Sequence, residues 1–263
     1  MNEENWRRFL SGYHDTRPGI TERLVHLADE SPYAWLAEPL HSYAGTVLDL
    51  ACGSAPMRVR LPDARWVGVD ASAGELASAA QLGRGPVVRA DATALPVRSA
   101  SADAVCASMC LPVLTPLPQV LGEVRRVLRP GGTLAALVPA QSGLSASGAL
   151  AWARVMYGLR AVRQPWPNPE ARDGLAELLR GAGFRVRSDQ RHVFARQPAL
   201  HLDTPDAVAM LVDGLYLPRL TGRRARAAKQ ALAAWARPGR RLELPLRRVV
   251  AEIPAVSAGR EGG

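Results

Sequence analysis

Several features are scarce in this chain of 263 residues, and each shortage excludes a class of protein. It has three cysteines, Cys52, Cys106 and Cys110, an odd number without the paired spacing of zinc ligands, so we predict neither a disulfide framework nor a metal site. No apolar run approaches the roughly 18 residues that a membrane span needs. The first ten residues contain acids and no apolar signal region, which predicts a cytoplasmic protein without a membrane partner.

Lysine is also scarce, and arginine carries nearly all of the positive charge. Lys229 is the only lysine, although the formal net charge is +9. Residues 214–250 contain ten basic residues and one acid, so the rest of the chain is balanced. Such a segment is compatible with nucleic-acid binding. A solvated helix face is the explanation that we favour, and we do not predict a nucleic-acid partner.

Apolar segments alternate with helical patterns along the first half of the chain. The helical pattern at 118–128 has apolar residues at 3.6-residue spacing and ends before Pro130-Gly131-Gly132. This alternation predicts a parallel α/β sheet covered on both faces. The predicted strands are 46–50, 65–70, 86–90, 102–108 and 133–138.

The length and a hydrophobic content of 48% predict a single domain over residues 1–263. Its segments differ in pattern, and two further strands are predicted at 184–196 and 241–253. The predicted segments are a helical cap with a polar loop at 13–19 (1–44), a cofactor-binding core (45–139), lid helices with the remaining strands (140–256) and a disordered tail (257–263).

The segment 46–55, TVLDLACGSA, predicts a buried strand followed by a glycine turn at Gly53. A glycine turn lets a ligand approach the backbone, and an acid ending the next strand, here Asp70, can accept both hydroxyls of a ribose. A nicotinamide fingerprint would need three glycines where this turn has one. Asp49 inside the strand end needs donors such as a ligand's ammonium group. The pattern favours an adenosine cofactor with an amino-acid moiety.

Five motifs follow one another between Gly45 and Pro139: VLDLACGSA, GVDAS, RADATALPV, SADAV and EVRRVLRPGGTLAAL. In this order they resemble the class I S-adenosylmethionine-dependent methyltransferases, above all the methyltransferase-11, small-molecule branch. The resemblance implies a three-layer α/β/α Rossmann-like sheet of seven strands, the last antiparallel, with a helical N-terminal cap and helical insertions. It also implies S-adenosyl-L-methionine as the cofactor.

The resemblance further implies which residues contact each part of the cofactor. Asp49 and the backbone of Ala51, Cys52 and Gly53 would hold the methionine part; Asp70 would hold the ribose hydroxyls, with Ala71 beside the adenine; Asp91 would accept from the adenine amino group, with Ala92 beside it; Ser108 and Met109 would lie under the sulfonium.

This chain departs from the family after the fourth strand, where many relatives have histidines. The apolar residues Met109-Cys110-Leu111-Pro112 stand there, which removes a base from that loop and suits an apolar or aromatic acceptor. Our candidate general base is His14 in the N-terminal cap, a segment that by the resemblance folds over the cofactor; the simpler alternative is an ordinary polar loop residue. Tyr13 and Arg17 flank it, and Arg17 could pair with the cofactor's carboxylate.

The aromatic residues Tyr157, Trp166 and Tyr216 lie in the lid segments and are predicted to line the acceptor pocket. The function we predict is methyl transfer to a small organic acceptor by in-line displacement, catalysed mainly by positioning. Two other readings stay open: an RNA or protein methyltransferase that uses the basic C-terminal helix, and a cyclase-like enzyme that binds the cofactor without methylating. The oligomeric state is predicted as monomer or homodimer.

Overall fold

A seven-stranded sheet with helices on both faces forms the centre of the computed structural model, which describes residues 1–28, 31–41, 43–140, 142–161, 164–194, 200–218, 220 and 222–255. The strands are β1 (Thr46–Leu50), β2 (Arg65–Asp70), β3 (Val87–Arg89), β4 (Ala102–Ser108), β5 (Leu128–Pro139), β6 (Arg185–Phe194), β7 (Leu200–His201), β8 (Arg241–Leu242) and β9 (Leu244–Glu252). The helices are α1 (Glu3–Thr16), α2 (Ile20–Val25), α3 (Pro32–Ala37), α4 (Ala73–Gln81), α5 (Leu117–Val127), α6 (Ala146–Gly158), α7 (Glu170–Asp173), α8 (Leu175–Gly181), α9 (Pro205–Asp213) and α10 (Gly222–Ala233).

The order of the large sheet is β3-β2-β1-β4-β5-β9-β6. Neighbours from β3 to β5 are parallel, whereas β9 is antiparallel to both β5 and β6. The predicted seven-stranded sheet with an antiparallel last strand is thus confirmed. The strand order reverses between β1 and β4, and in open α/β sheets this is where ligands bind, at the carboxyl ends of the strands.

Alternate residues of each central strand enter two separate apolar cores. Val47 packs with α3, α9 and α10 on one face, while Leu48 and Leu50 pack with α5 and α8 on the other. Burial on both faces requires apolar residues at successive strand positions, which explains the continuous apolar runs in the sequence. The buried acid Asp49 is the exception within β1, and it lies at the strand end that borders the site.

The N-terminal segment differs from our prediction. A polar loop at 13–19 was expected, but α1 continues to Thr16 and includes Tyr13 and His14. The side chain of Asn2 accepts from the Asn5 amide at 2.9 Å and caps the helix start. Trp6 is buried and its indole donates to the Val113 carbonyl at 2.7 Å, which anchors the helix on the domain. The polar segment 13–16 is therefore helical in its tertiary context, although its local sequence predicted a loop.

Two further segments are interrupted. The helical segment after Pro169 is divided at Gly174 into α7 and α8, and the strand predicted from residue 241 is divided between Leu242 and Leu244. The tail at 257–263 lies outside the described residues. In the part of the chain that the structure describes, no helix is both long and apolar enough to cross a membrane.

Candidate cofactor and active site

A cavity of about 310 Å³ opens where β1, β2 and β4 end, and α1 contributes one of its walls. The cavity brings together segments that are distant in sequence, from Arg7 on α1 to Tyr216 after α9. Twelve of the residues predicted for the site line it: His14, Asp49, Ala51, Cys52, Gly53, Asp70, Ala71, Asp91, Ala92, Ser108, Met109 and Tyr216.

Strained backbone conformations collect around this cavity. Ala51 (φ 51°), Gly53 (φ 55°), Met109 (φ 60°) and Tyr216 (φ 47°) line it and have left-handed backbone angles. For a residue as large as methionine or tyrosine such an angle is uncommon and costs about 1–3 kcal/mol, so it persists only where the surrounding structure enforces it. Such strain is typical of functional sites.

Asp70 ties the glycine turn to the end of β2. One carboxylate oxygen accepts from the Gly53 amide at 2.9 Å, and the other accepts from the Ser72 amide at 2.8 Å. Burial raises the pKa of Asp70, because the charged form loses hydration. Each oxygen keeps a lone pair that can accept a further hydrogen bond, so the two hydroxyls of a ribose fit this carboxylate.

Asp49 has an unsatisfied charge at the same end of the sheet. Its side chain is only 1% exposed, and among the described residues its Oδ2 has no hydrogen-bond partner. Burial raises the pKa of Asp49 to about 7; the Cys106 thiol and the Trp66 indole oppose the rise, and the negative charge of Asp70 adds to it. A buried carboxylate oxygen without a partner that lines a cavity is stabilised by a cationic ligand. The methionine end and sulfonium of S-adenosyl-L-methionine carry such positive charges, so these residues fit that cofactor.

Asp91 lies across the cavity from the glycine turn and already has several partners. Its Oδ1 accepts from the amide and hydroxyl of Thr93 at 2.8 and 2.7 Å, and its Oδ2 pairs with the guanidinium of Arg7. Burial pushes the pKa of Asp91 upward, but these hydrogen bonds and the Arg7 charge together hold it below the usual value. The carboxylate therefore stays ionised and can act as an acceptor.

His14 is paired with Glu75, a residue that our sequence reasoning missed. Its Nδ1 lies 2.7 Å from Glu75 Oε1, while Glu75 Oε2 accepts from the Gly19 amide at 2.7 Å. A signal was present, because Ser72-Ala73-Gly74-Glu75 has the spacing of a capping box. Ser72 does cap α4, yet its own amide donates to Asp70, which leaves the Glu75 carboxylate to α1.

Four other predicted site residues do not line the cavity. The Tyr13 hydroxyl donates to the Asp213 carbonyl at 2.6 Å, and the Arg17 guanidinium stacks 4.4 Å from the centre of the Tyr13 ring. Tyr157 is 87% exposed on α6. Trp166 packs against the cluster that contains Trp6. The pairing of Arg17 with the cofactor's carboxylate stays a prediction, for a residue that does not line this cavity.

Part of the basic C-terminal segment serves the fold. Arg247 is buried and donates to both carboxylate oxygens of Asp189 at 2.7 and 2.6 Å. Its neighbour Arg248 is also buried and pairs with Glu38 at 2.7 Å. The expectation of a solvated helix face holds for the arginines of α10 and is wrong for these two. No group of three His, Cys, Asp or Glu residues that could hold a metal occurs within the described ranges.

Comparisons with known proteins agree with this geometry. Residues 48–136 match the methyltransferase-11 family, described as a methyltransferase domain. The chain is 30% identical over 196 residues to a malonyl-[acyl-carrier protein] O-methyltransferase of Alcanivorax borkumensis, covering 71% of this chain and 63% of that protein. It is 37% identical over 140 residues to a demethylmenaquinone methyltransferase of Mycobacterium tuberculosis, covering 51% of this chain and 58% of that protein.

Among solved structures, the [4+2]-cyclase SpnF superposes with a TM-score of 0.56 at 20% identity and covers 85% of this chain and 80% of its own. At that identity the likeness concerns the fold alone. The chain spans about 60% of the length of the two curated relatives, so their acceptors do not transfer to it directly.

Proposed function

Because this chain carries a class I S-adenosylmethionine-dependent methyltransferase domain, we propose that it transfers a methyl group to a small, largely apolar organic acceptor that loses a proton. The observation that carries the proposal is Oδ2 of Asp49, a buried carboxylate oxygen beside Asp70 at the strand ends that has no hydrogen-bond partner among the described residues. A cationic ligand would stabilise the ionised form of this acid, whereas an uncharged or anionic ligand would not.

We assign the cofactor contacts by the charge that each group presents. Asp49 and the backbone of the Ala51–Gly53 turn would hold the methionine end, with Asp49 facing its ammonium group; Asp70 would accept from the ribose hydroxyls, and Asp91 would accept from the adenine amino group. When bound, S-adenosyl-L-methionine supplies an electrophilic methyl group on a sulfonium. The protein's own task is then to align the acceptor with that methyl group and to exclude water.

The acceptor end of the cavity has apolar walls. Leu10 on α1, Met109 after β4, and Val113 and Leu114 in the following loop all line it. Met109 has a left-handed backbone conformation at this wall. Apolar walls favour an acceptor with an apolar body and exclude water from the reacting atoms.

His14 is the group that we assign as general base. It lines the cavity from α1, and the hydrogen bond to Glu75 occupies only its Nδ1. In the part of the chain that the structure describes, Nε2 has no hydrogen-bond partner and can receive the acceptor's proton. A base at this position is useful for a hydroxyl or another weakly acidic nucleophile.

Calorimetry with S-adenosyl-L-methionine and with NAD tests the cofactor, and binding of NAD alone would overturn the proposal. Turnover is measured as S-adenosylhomocysteine formed with a panel of phenols, quinols and carboxylic acids. We expect His14→Gln to lower kcat about 10²–10⁴-fold, the usual contribution of a general base, with unchanged cofactor affinity. His41→Gln, at an exposed position outside the cavity, is the matched control and should leave kcat unchanged.

Two results would favour the other readings. Tight cofactor binding without S-adenosylhomocysteine formation from any acceptor would indicate a cyclase-like enzyme that keeps the cofactor intact. Salt-sensitive binding of RNA fragments would indicate a macromolecular substrate that uses the arginines of α10.

A further inference from the structure

We propose that Glu75 is a positioning residue that keeps the proton of neutral His14 on Nδ1, so that Nε2 faces the cavity as an unprotonated nitrogen. The proposal rests on the proposed function for its purpose, because only an unprotonated Nε2 can act as the base. The pairing itself is a property of the protein without cofactor or acceptor.

The two oxygens of Glu75 have different and separate partners. Oε1 lies 2.7 Å from His14 Nδ1, and Oε2 accepts at 2.7 Å from the Gly19 amide. The Glu75 side chain is 2% exposed, so water does not compete for either oxygen. A carboxylate can only accept hydrogen bonds. The nitrogen beside it must therefore donate, and a neutral imidazole that donates from Nδ1 leaves Nε2 as the acceptor.

A second contact fixes the distance between the two elements that carry this pair. Asp15, the residue after His14, accepts from the Ser72 hydroxyl at 2.8 Å and from the Gly74 amide at 3.1 Å. A Cβ at Gly74 would come within 2.7 Å of the Asp15 carbonyl oxygen, so only glycine allows this approach. Two consecutive residues at the end of α1, His14 and Asp15, thus contact two consecutive residues at the start of α4, Glu75 and Gly74.

The surroundings of His14 also suit a base that becomes positively charged. In the proposed transfer the acceptor would bond to the methyl carbon as the methyl–sulfur bond breaks and S-adenosylhomocysteine leaves; the acceptor's proton would pass to Nε2 and the imidazole would become a cation. The Glu75 carboxylate lies at the opposite nitrogen, and Asp70 is a second acid whose charge interacts with His14. The Tyr216 ring stands 5.3 Å from the imidazole ring, centre to centre, and limits its rotation. The same carboxylate therefore selects the tautomer and balances the charge.

Glu75→Gln separates this role from a structural one. The amide has nearly the same shape and its oxygen can still accept from the Gly19 amide. Its NH₂ group then faces Nδ1 and can only donate. Nδ1 must become the acceptor, and the proton of neutral His14 moves to Nε2. A merely structural Glu75 would leave the tautomer unchanged.

Nitrogen NMR of ¹⁵N-histidine-labelled full-length protein at about pH 9, where histidine is ordinarily neutral, reads the tautomer directly. His14→Gln identifies the His14 signals among the five histidines by their loss. We expect wild-type His14 to show protonated Nδ1 and unprotonated Nε2, and Glu75→Gln to show the reverse. Glu22→Gln is the matched control, because Glu22 is a buried acid of the same cavity that pairs with Arg84. In this variant His14 should keep the wild-type tautomer.

An Nε2-protonated His14 in the wild type would overturn the proposal even if Glu75→Gln failed to fold. An unchanged tautomer in a folded Glu75→Gln protein would overturn it as well. Calorimetry with S-adenosyl-L-methionine is run on the same samples. A wild-type protein that does not bind S-adenosyl-L-methionine would contradict the proposed function without changing the tautomer result. Failure of the proposed function and failure of the tautomer proposal are therefore distinguishable.

Discussion

The guanidinium of Arg7 on α1 pairs with the carboxylate of Asp91 after β3, at the edge of the cavity. The two residues are 84 positions apart in sequence. This ion pair, the contacts from His14 and Asp15 to α4, and the hydrogen bonds of Trp6 and Tyr13 to the rest of the domain hold α1 over the cavity.

Arg7→Ala should loosen this covering helix. Both side chains are about half exposed, so we expect a modest change, a two- to fivefold faster dissociation of S-adenosylhomocysteine, which corresponds to roughly 0.5–1 kcal/mol. Stopped-flow measurement of the dissociation rate checks it. Arg8→Ala is the matched control, because Arg8 pairs with Glu4 on its own helix. Equal rates for the two variants would contradict a role for the Arg7 pair.

Asp70→Asn should weaken S-adenosyl-L-methionine binding about 10- to 100-fold, since hydrogen bonds to a charged group are worth roughly 1.5–3 kcal/mol. The amide would also set an N–H against one of the two backbone amides that Asp70 now accepts from. Calorimetry measures the affinity. Asp103→Asn is the control: Asp103 accepts from the Thr46 amide at 2.6 Å and does not line the cavity. Unchanged affinity in Asp70→Asn would refute the ribose role.

Asp49 should make the protein less stable as the pH rises. Its pKa of about 7 in the folded chain lies above the ordinary aspartate value near 3.9, so the folded state binds the proton more tightly. The contribution of Asp49 to the free energy of unfolding is fully present below about pH 4. It is lost as the pH rises towards 7 and changes little above that. Asp49→Asn cannot ionise at this position. Its free energy of unfolding should therefore rise relative to that of the wild type by about 2–3 kcal/mol between pH 5 and pH 8.

Urea unfolding of the cofactor-free protein at these two pH values measures that gain. A difference between Asp49→Asn and wild type that does not depend on pH would show that Asp49 does not titrate in this range. The same variant should bind S-adenosyl-L-methionine more weakly at pH 8, because it lacks the negative charge.

Asp189→Ala should lower the free energy of unfolding by about 3–5 kcal/mol, because it leaves the Arg247 guanidinium, 2% exposed, without its carboxylate. Arg185→Ala removes an exposed member of another ion pair between the same strands, β6 and β9, and should cost less than about 1 kcal/mol. Urea unfolding compares the two. If the two variants lost similar free energies of unfolding, burial would not decide the strength of these two ion pairs.

Local patterns were sufficient for the elements that carry the glycine turn and Asp70. Apolar runs bounded by glycine and proline predicted β1, β2 and β4, and the structure confirms these boundaries. Gly53 and Asp70 are 17 residues apart, and both lie at the ends of adjacent parallel strands, so their proximity follows from the strand order. Hydrogen bonding within a strand and alternation of polarity act over a few residues, and a sequence displays both.

Contacts between distant segments could not be predicted in the same way. His14 and Glu75 are 61 residues apart and meet because α1 packs on the domain, where Trp6 is one of its anchors. The capping-box spacing at Ser72 indicated a local partner for Glu75, but packing assigned that carboxylate to another helix. Arg247 looked solvated in a basic run, and the insertion of β9 between β5 and β6 buried it beside Asp189.

The sequence by itself determined the class of fold and the position of the glycine turn with its two acids, because these depend on local periodicity, turn residues and strand ends. Only the tertiary structure decided which groups complete the site. The partners of His14 and Asp91, and the absence of a partner for Asp49 Oδ2 among the described residues, depend on how α1 packs across the ends of the strands. That packing is a sum of long-range contacts, none of which has a local signature.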